Sequence, residues 1–212
     1  MQKITRLKLD EAISAYAHQG LTLEIGSYGT SDYKKYFTNR IGVDFRPGKG
    51  VDQLASVYAL PFPDNHFDNI LCISVLEHLV EPQKAITEMQ RVLKKNGKII
   101  VSVPFLFPIH DAPNDYWRFT KYGLQILFKD WRIIDLKGET NAQESLASLL
   151  QRLGFQSDIK MRYIFKTLIY LMSYILFKLP YLFKNIYGDI RKTKTEKDAF
   201  SGAFFLVAEK IS

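Results

Sequence analysis

The chain has 212 residues, 47% of them apolar, and a net charge of +7; that is about one domain's length with enough apolar content for a real core, which excludes a disordered protein. A single cysteine, Cys72, excludes a disulfide framework and a cysteine-based zinc cluster, no metal ligands are assigned, and a reducing, cytosolic setting is expected. The charge is local: residues 151–197 hold ten Lys/Arg against three Asp/Glu, and the rest balance at 19 of each, which argues against a nucleic-acid-coating protein and for one local anionic partner.

The opening MQKITRLKLDEAISAYAHQG is interrupted by charges every few residues, so no signal peptide is expected. Residues 5–18 predict an amphipathic helix with Leu7, Ile13 and Tyr16 on its apolar side. Leu21–Ile25 and Arg40–Asp44 are short apolar runs that predict buried strands, and Gly50–Leu54 is a weaker third. Phe67–Val75 predicts a strand, Pro82–Lys95 a helix stopped by Gly97, and Lys98–Val103 another strand. After a loop punctuated by Pro104, Pro108 and Pro113 come a helix near Lys121–Phe128, a strand at Trp131–Leu136, a helix over Ala142–Leu153 and a last strand at Ala203–Ala208. Strands that alternate with helices, each a near-continuous apolar run, predict an α/β fold with a mostly parallel sheet covered on both faces. Ligands in such sheets bind beyond the carboxyl ends of the strands, here after Ile25, Val43, Val75 and Val103.

At the first of these ends, "LEIGSYGT" presents Glu24, Gly26 and Gly29, and Gly26 permits a tight turn and close approach to a ligand. Asp44 stands at the second end, 20 residues beyond Glu24, a spacing at which a carboxylate accepts both hydroxyls of a ribose. The bland alternative is an ordinary β-α turn followed by an exposed acid.

The stretch Ala59–Phe105 carries more information. Leu60-Pro61-Phe62, Phe67-Asp68, Val75-Leu76-Glu77-His78 and Arg91-Val92-Leu93-Lys94 with Gly97 stand in the order that closely resembles the central block of class I S-adenosylmethionine-dependent methyltransferases of the small-molecule type. The resemblance runs over roughly residues 20–135, and SGAFFLVAEK resembles the seventh, antiparallel strand of that fold. It implies a Rossmann-like, doubly wound, seven-stranded sheet in one domain, 1–212, with a helical, basic-aromatic insertion at 139–198. It also implies S-adenosylmethionine as cofactor: Glu24 facing its methionine end through the turn, with Gly26, Ser27 and Gly29 leaving room, and Ser74 at the end of the fourth strand. Asp44 would hold the ribose, Phe45 would pack on the adenine, and Ser56, Val57 and Leu60 would line the adenine pocket. Ser56 departs from many relatives, which carry an acid there; a hydroxyl accepts the adenine amino hydrogen without charge and so more weakly. The family turn is acid-x-Gly-x-Gly-x-Gly, so Tyr28 and Thr30 either replace two glycines or mark an insertion that re-registers Gly29.

The loop VPFLFPIHDAPNDYWRFT, Val103–Thr120, is too long for a plain connector. It also resembles a loop in a methyltransferase subgroup found among surface-polysaccharide biosynthesis enzymes. His110 is the candidate catalytic base for O-methylation of a hydroxyl, with a near-neutral pKa suited to the task; the alternative is a histidine that pins the loop. Asp115 with Arg118 predicts a structural ion pair, and Tyr116 and Trp117 either stack on a sugar or close the loop. His78 is expected to be structural, and His18 and His66 to lie at the surface. On a helical wheel, Tyr163–Lys178 separates an aliphatic half (Ile164, Phe165, Leu168, Leu171, Met172 and Ile175 among it) from a half with Tyr163, Lys166, Tyr170, Ser173 and Tyr174. Its uncharged run, Thr167–Phe177, is well short of the ~20 residues that span a bilayer. It suits peripheral contact of residues 160–197 with an anionic membrane, at the inner face of the cell membrane, and a small-molecule, sugar or lipid-linked substrate; a core helix or a subunit surface is the alternative. Two other functions stay open: a nicotinamide-dependent oxidoreductase, although Gly-x-Gly-x-x-Gly is missing and the Tyr174/Lys178 pair lies in the amphipathic segment, and a methyltransferase-fold protein that binds without catalysis.

Overall fold

The computed structural model describes residues 4–17, 19–29, 32–158 and 162–211, so His18 and Thr30 lie outside the described residues. Its elements in chain order are α1 (Ile4–Ala15), β1 (Thr22–Ile25), β2 (Arg40–Asp44), β3 (Gln53–Leu54), β4 (Phe67–Ile73), α2 (Pro82–Val92), β5 (Leu93–Pro104), α3 (Lys121–Leu127), β6 (Trp131–Gly138), α4 (Ala142–Gln156), α5 (Arg162–Lys178) and β7 (Ala203–Lys210). Short 3-10 turns add Asp32–Lys35 and Leu76–His78. The strands form one seven-stranded sheet in the order β3-β2-β1-β4-β5-β7-β6. β7 runs antiparallel to both its neighbours, β5 and β6, and the pairs from β3 to β5 are parallel. This is the expected architecture.

Each helix has a local cause. Pro82 at the start of α2 lacks an N–H that would go unpaired there, and Ala85, Ile86, Met89 and Val92 form its buried stripe. Asn141 and Glu144 cap α4 reciprocally, and the Thr120 hydroxyl accepts from Gly123 N at the head of α3. α2 and α3 cover one face of the sheet, where Leu23, Ile70, Cys72, Ile99 and Val101 form the larger core, and α4 packs on α1 and α5.

Three expectations are corrected. α2 ends at Val92, not Lys95, because Leu93 leaves the helical path to pair with Phe67 and is fully buried there; β5 therefore starts earlier and carries an irregularity around Asn96 (φ 62°). Helices do not alternate with strands in the first half: β1 connects to β2 through the Asp32–Lys35 turn. Tyr33 and Phe37 from that connection, with Leu9 and Ile13 of α1, pack on Leu71, Ile100, Phe205 and Val207, so the second sheet face is still covered. Finally, the 139–198 insertion is helical in α4 and α5, not throughout, and residues 179–200 are irregular with one bridge between Tyr187 and Thr195.

α5 rests on α4 along a stripe of Ile169, Tyr170 and Ser173 at the border of its two halves. Ser173 is buried and donates to Ala147 O (2.7 Å), and Tyr170 and Ile169 lie against Gly154. Gln143 ties the end of α5 by donating to Leu176 O and Leu179 O (2.7 and 3.0 Å). The aliphatic residues Ile164, Phe165, Leu168, Leu171, Met172 and Ile175 are left exposed. The core-helix alternative with an aromatic outer face is therefore not what forms. No helix among the described residues is long and apolar enough to cross a membrane.

Candidate active site

The carboxyl ends of β1, β4 and β5 open onto a cavity of about 350 Å³. Of the residues singled out in the sequence it brings together Glu24, Gly26, Ser27, Ser74 and His110. It also recruits Glu77 from the Val75–His78 motif and residues that no local motif marks, notably Arg6 of α1, Glu139 and Arg152 of α4.

The first turn is built for close approach. Gly26 has φ +75°, and a Cβ there would lie 2.5 Å from Val75 Cγ2, so conformation and space both demand glycine. Gly29 takes φ +91° and is held by its N–H to Lys49 O (3.0 Å). Tyr28 does not fill the turn: its ring leans over Gly48, with the Arg46 guanidinium 4.6 Å from its centroid. Gly29 thus supplies the second left-handed residue. Ser27 is buried and its Oγ has no hydrogen-bond partner. Beneath the turn, Glu24 Oε2 lies 2.9 Å from Arg40 Nη1, with both side chains almost wholly buried. Ser74 takes a left-handed conformation (φ 54°) that turns the chain at the end of β4.

Asp44 is buried beside this turn, where Oδ1 accepts from Arg46 N (2.9 Å) and Oδ2 from Tyr28 N (3.4 Å). Phe45 next to it is 74% exposed. Ser56 is exposed and accepts from Tyr58 N (3.2 Å), and Val57 packs half-buried on the larger core. Gly29, Asp44, Phe45, Ser56 and Val57 do not line the cavity. Neither does Leu60, whose side chain belongs to the core and whose N–H goes to Glu88 (2.7 Å).

The long loop is organised around Asp115. One face of its carboxylate takes the Arg118 guanidinium in a two-point bridge (2.6 and 2.8 Å), and Oδ2 also accepts the His110 N–H (3.0 Å). The Arg118 hydrogen bonds hold the Asp115 carboxyl far below the usual carboxylate range. The expected structural ion pair is present. The loop is stitched to the Leu76–His78 turn by Tyr116 N and Trp117 N to Glu77 O (2.9 and 3.2 Å) and by Trp117 Nε1 to Leu79 O (2.8 Å). Trp117 thus closes the loop, while Tyr116 bonds Asn114 and stays half-exposed. His66 is half-buried against Phe62 and Phe67, not a free surface residue.

The His110 backbone pins the loop, as the structural alternative expected, and the residue also lines the cavity. Nδ1 lies 3.1 Å from Asp115 Oδ2, and burial pushes its pKa below the ordinary value. Glu77 is fully buried, and burial pushes its pKa up to about 8. Glu139, hydrogen-bonded by Ser102 Oγ, is raised to about 7 by the same effect. Arg152 stacks on Phe107, 4.4 Å from its centroid, with its pKa lowered by burial, and Arg6 donates to the Tyr33 hydroxyl (3.1 Å).

The family model described as a methyltransferase domain matches residues 23–101. The chain is 31% identical over 168 residues to the uncharacterised protein MJ1123 of Methanocaldococcus jannaschii, covering 74% of each chain. It is 32% identical over 117 residues to the ubiquinone/menaquinone biosynthesis C-methyltransferase UbiE of Yersinia enterocolitica, covering 49% of this chain and 44% of that one. Among solved structures the cyclase SpnF superposes over 97% of this chain and 81% of its own, with a TM-score of 0.59 at 17% identity; that likeness is one of fold.

Proposed function

Because the chain belongs to the class I S-adenosylmethionine-dependent methyltransferase family, we propose that this enzyme methylates a hydroxyl oxygen of a small-molecule or glycan-type acceptor that meets His110 in the cavity. Membership leaves neither the oxidoreductase nor the non-catalytic alternative standing. The observation that carries the acceptor reading is His110 itself: with Nδ1 on Asp115, Nε2 is the ring nitrogen left to act on a hydroxyl.

The residues at the first turn suit the cofactor. Gly26 lacks the Cβ that would collide there, and the buried Ser27 hydroxyl wants a partner. Arg6 and Arg152 add positive charge for the carboxylate of a methionine moiety. Asp44, with Phe45 beside it, stands where a ribose and an adenine would extend beyond the cavity. When bound, S-adenosylmethionine supplies an electrophilic methyl on sulfur. The chain's own part is to hold both reactants in line, keep water out and act on the acceptor proton.

The exposed aliphatic side of α5 and the exposed Lys184, Arg191, Lys192, Lys194 and Lys197 favour peripheral binding to an anionic membrane and thus a lipid-linked, surface-polysaccharide type of acceptor. A carbon acceptor is the second reading, favoured by the identity to the C-methyltransferases, of which under half the length is matched. The test is methyl transfer from labelled cofactor to extracted glycolipids and free sugars, followed by identification of the methylated atom. His110→Ala should lower turnover by about 10²–10⁴-fold while leaving S-adenosylhomocysteine affinity unchanged. A methyl–carbon product, or a loss of a few-fold, would overturn the oxygen reading.

A further inference from the structure

Glu77, His78 and His110 form a cluster whose polar atoms are arranged for something that is not a protein group. Glu77 Oε1 lies 3.8 Å from His78 Nε2 and 4.0 Å from His110 Nε2. Both distances are too long for hydrogen bonds, and the two imidazoles meet edge-to-face with centroids 5.0 Å apart. One atom from each residue lies within 4.8 Å of the others. Glu77 is fully buried, and neither of its carboxylate oxygens has a hydrogen-bond partner. A buried carboxyl with both oxygens idle is costly to a fold, and each such group calls for an explanation.

The histidines supply the second observation. His78 Nδ1 lies 2.6 Å from the Asn114 carbonyl oxygen, and His110 Nδ1 lies 3.4 Å from the Pro108 carbonyl oxygen and 3.1 Å from Asp115 Oδ2. These partners are all acceptors, so each ring carries its proton on Nδ1 and presents the Nε2 lone pair to Glu77. Asp115 is itself anchored by Arg118. A histidine whose far nitrogen is oriented by a carboxylate or carbonyl, with the near nitrogen free, is how metal-binding imidazoles are held.

We propose that Glu77, His78 and His110 bind a divalent first-row transition cation. Ligands about 2.0–2.2 Å from a metal stand roughly 3–3.4 Å apart, so the Glu77–histidine separations have to contract by about 0.4–1 Å and a pair at the 4.8 Å limit by up to about 1.8 Å. Two imidazoles and one carboxylate suit manganese, iron or zinc more than an all-oxygen cation such as magnesium or calcium. Three protein ligands leave coordination positions open, and the cluster borders the cavity beside Ser74 and Pro104, so the open side faces the acceptor space.

This rests on the acceptor reading above and changes the part His110 plays in it from proton acceptor to cation ligand, since the one Nε2 lone pair cannot do both. His110 Nε2 holds the cation, and the cation lowers the pKa of an acceptor hydroxyl that coordinates it. The O–H bond breaks and its proton leaves to solvent. The oxygen lone pair forms the new O–CH₃ bond, and the electron pair of the old C–S bond returns to sulfur, giving S-adenosylhomocysteine. Sugars with adjacent hydroxyls fit such a site, because two neighbouring oxygens can share one cation.

The experiment needs no acceptor. The full chain, stripped with chelator, is titrated with Mn²⁺, Zn²⁺ and Co²⁺ by calorimetry, with the Co²⁺ visible spectrum as an independent readout. One cation should bind per chain, and Glu77→Gln, His78→Ala and His110→Ala should each weaken binding by more than about 100-fold, since loss of an orienting partner alone costs about 10–100-fold. Circular dichroism and S-adenosylhomocysteine affinity show whether each variant is folded, and Asp115→Asn, which keeps all three ligands, should weaken the cation by about 10-fold or more. Absence of binding to the folded wild type, or unchanged binding in folded Glu77→Gln, would overturn the site. Normal cofactor affinity beside such a result would leave the methyltransferase reading intact, so the two failures are separable. Full methyl transfer in chelator would overturn the catalytic part.

Discussion

Arg40→Met tests the floor of the cofactor turn. The guanidinium lies 2.9 Å from Glu24 Oε2, and the two side chains are 1% and 5% exposed. At an effective dielectric of about 20 the attraction at that separation is roughly 5–6 kcal/mol, most of it offset by the desolvation of both ions. Removing one partner is different from removing both. Arg40→Met takes the Arg40 charge away from a carboxylate that stays buried, and should cost about 3–5 kcal/mol. Glu24→Gln should cost less, because Arg40 still reaches Gly50 O (3.1 Å) and Asp52 (3.5 Å). The double variant should be more stable than the sum of the singles by at least about 1–2 kcal/mol. Urea unfolding measures this: with a slope of about 1–3 kcal/mol per molar, the Arg40→Met midpoint should fall by roughly 1–3 M. Both singles should also weaken S-adenosylhomocysteine, since Gly26 and Ser27 hang from Val43 O just above the pair (2.9 and 3.1 Å). Additive single effects, or a midpoint shift too small to measure, would show that the two side chains do not share their charge.

Gly26→Ala places a Cβ 2.5 Å from Val75 Cγ2 at φ +75°, so it should lose about 1–2 kcal/mol of stability and most of its cofactor affinity; calorimetry that finds normal affinity would take the cofactor out of this turn, as unchanged affinity in Asp44→Ala, expected to lose about 1.5–3 kcal/mol, would take the ribose off Asp44. Glu139, with its folded-state pKa raised to about 7, keeps a proton that the unfolded chain has lost, so wild-type stability should decline as pH rises from about 4.5 to 7. Glu139→Gln should reduce that slope between pH 5 and 7, leaving the part due to Glu77, raised to about 8, and an identical pH dependence would show that Glu139 titrates normally. Sedimentation with anionic vesicles should occur, fall with salt, and disappear when Arg191, Lys192, Lys194 and Lys197 are replaced together, with cofactor affinity retained. Equal partitioning onto neutral vesicles would instead assign the contact to the aliphatic side of α5.

Local chemistry in the sequence determined the strands, most helix starts and the two glycines of the first turn. β2 at Arg40–Asp44, the proline start of α2 at Pro82 and the Thr120 and Asn141 caps depend on neighbours within a few residues, and a nearby interaction leaves a nearby signature. Where long-range pairing competes with local preference, the sequence points the wrong way: the helical run towards Lys95 yields at Leu93 because Phe67 offers a buried strand partner. The charge of residues 151–197 and the two halves of α5 were visible in order along the chain, yet which half faces the protein was decided by Ser173 and Gln143 finding carbonyls on neighbouring elements. The site itself divides the same way. Asp44 and His110 announce themselves by position after a strand, but Glu77 and His78 read as part of a family turn. Their convergence with His110, 33 positions after Glu77 along the chain, exists because Tyr116 and Trp117 bind the Glu77 carbonyl and because Asp115 and Asn114 turn both imidazoles inward. Arg6 and Arg152 reach the same cavity from opposite ends of the chain. No periodicity or spacing encodes such a meeting, because the groups share no local geometry until the sheet has brought the ends of β1, β4 and β5 to one edge.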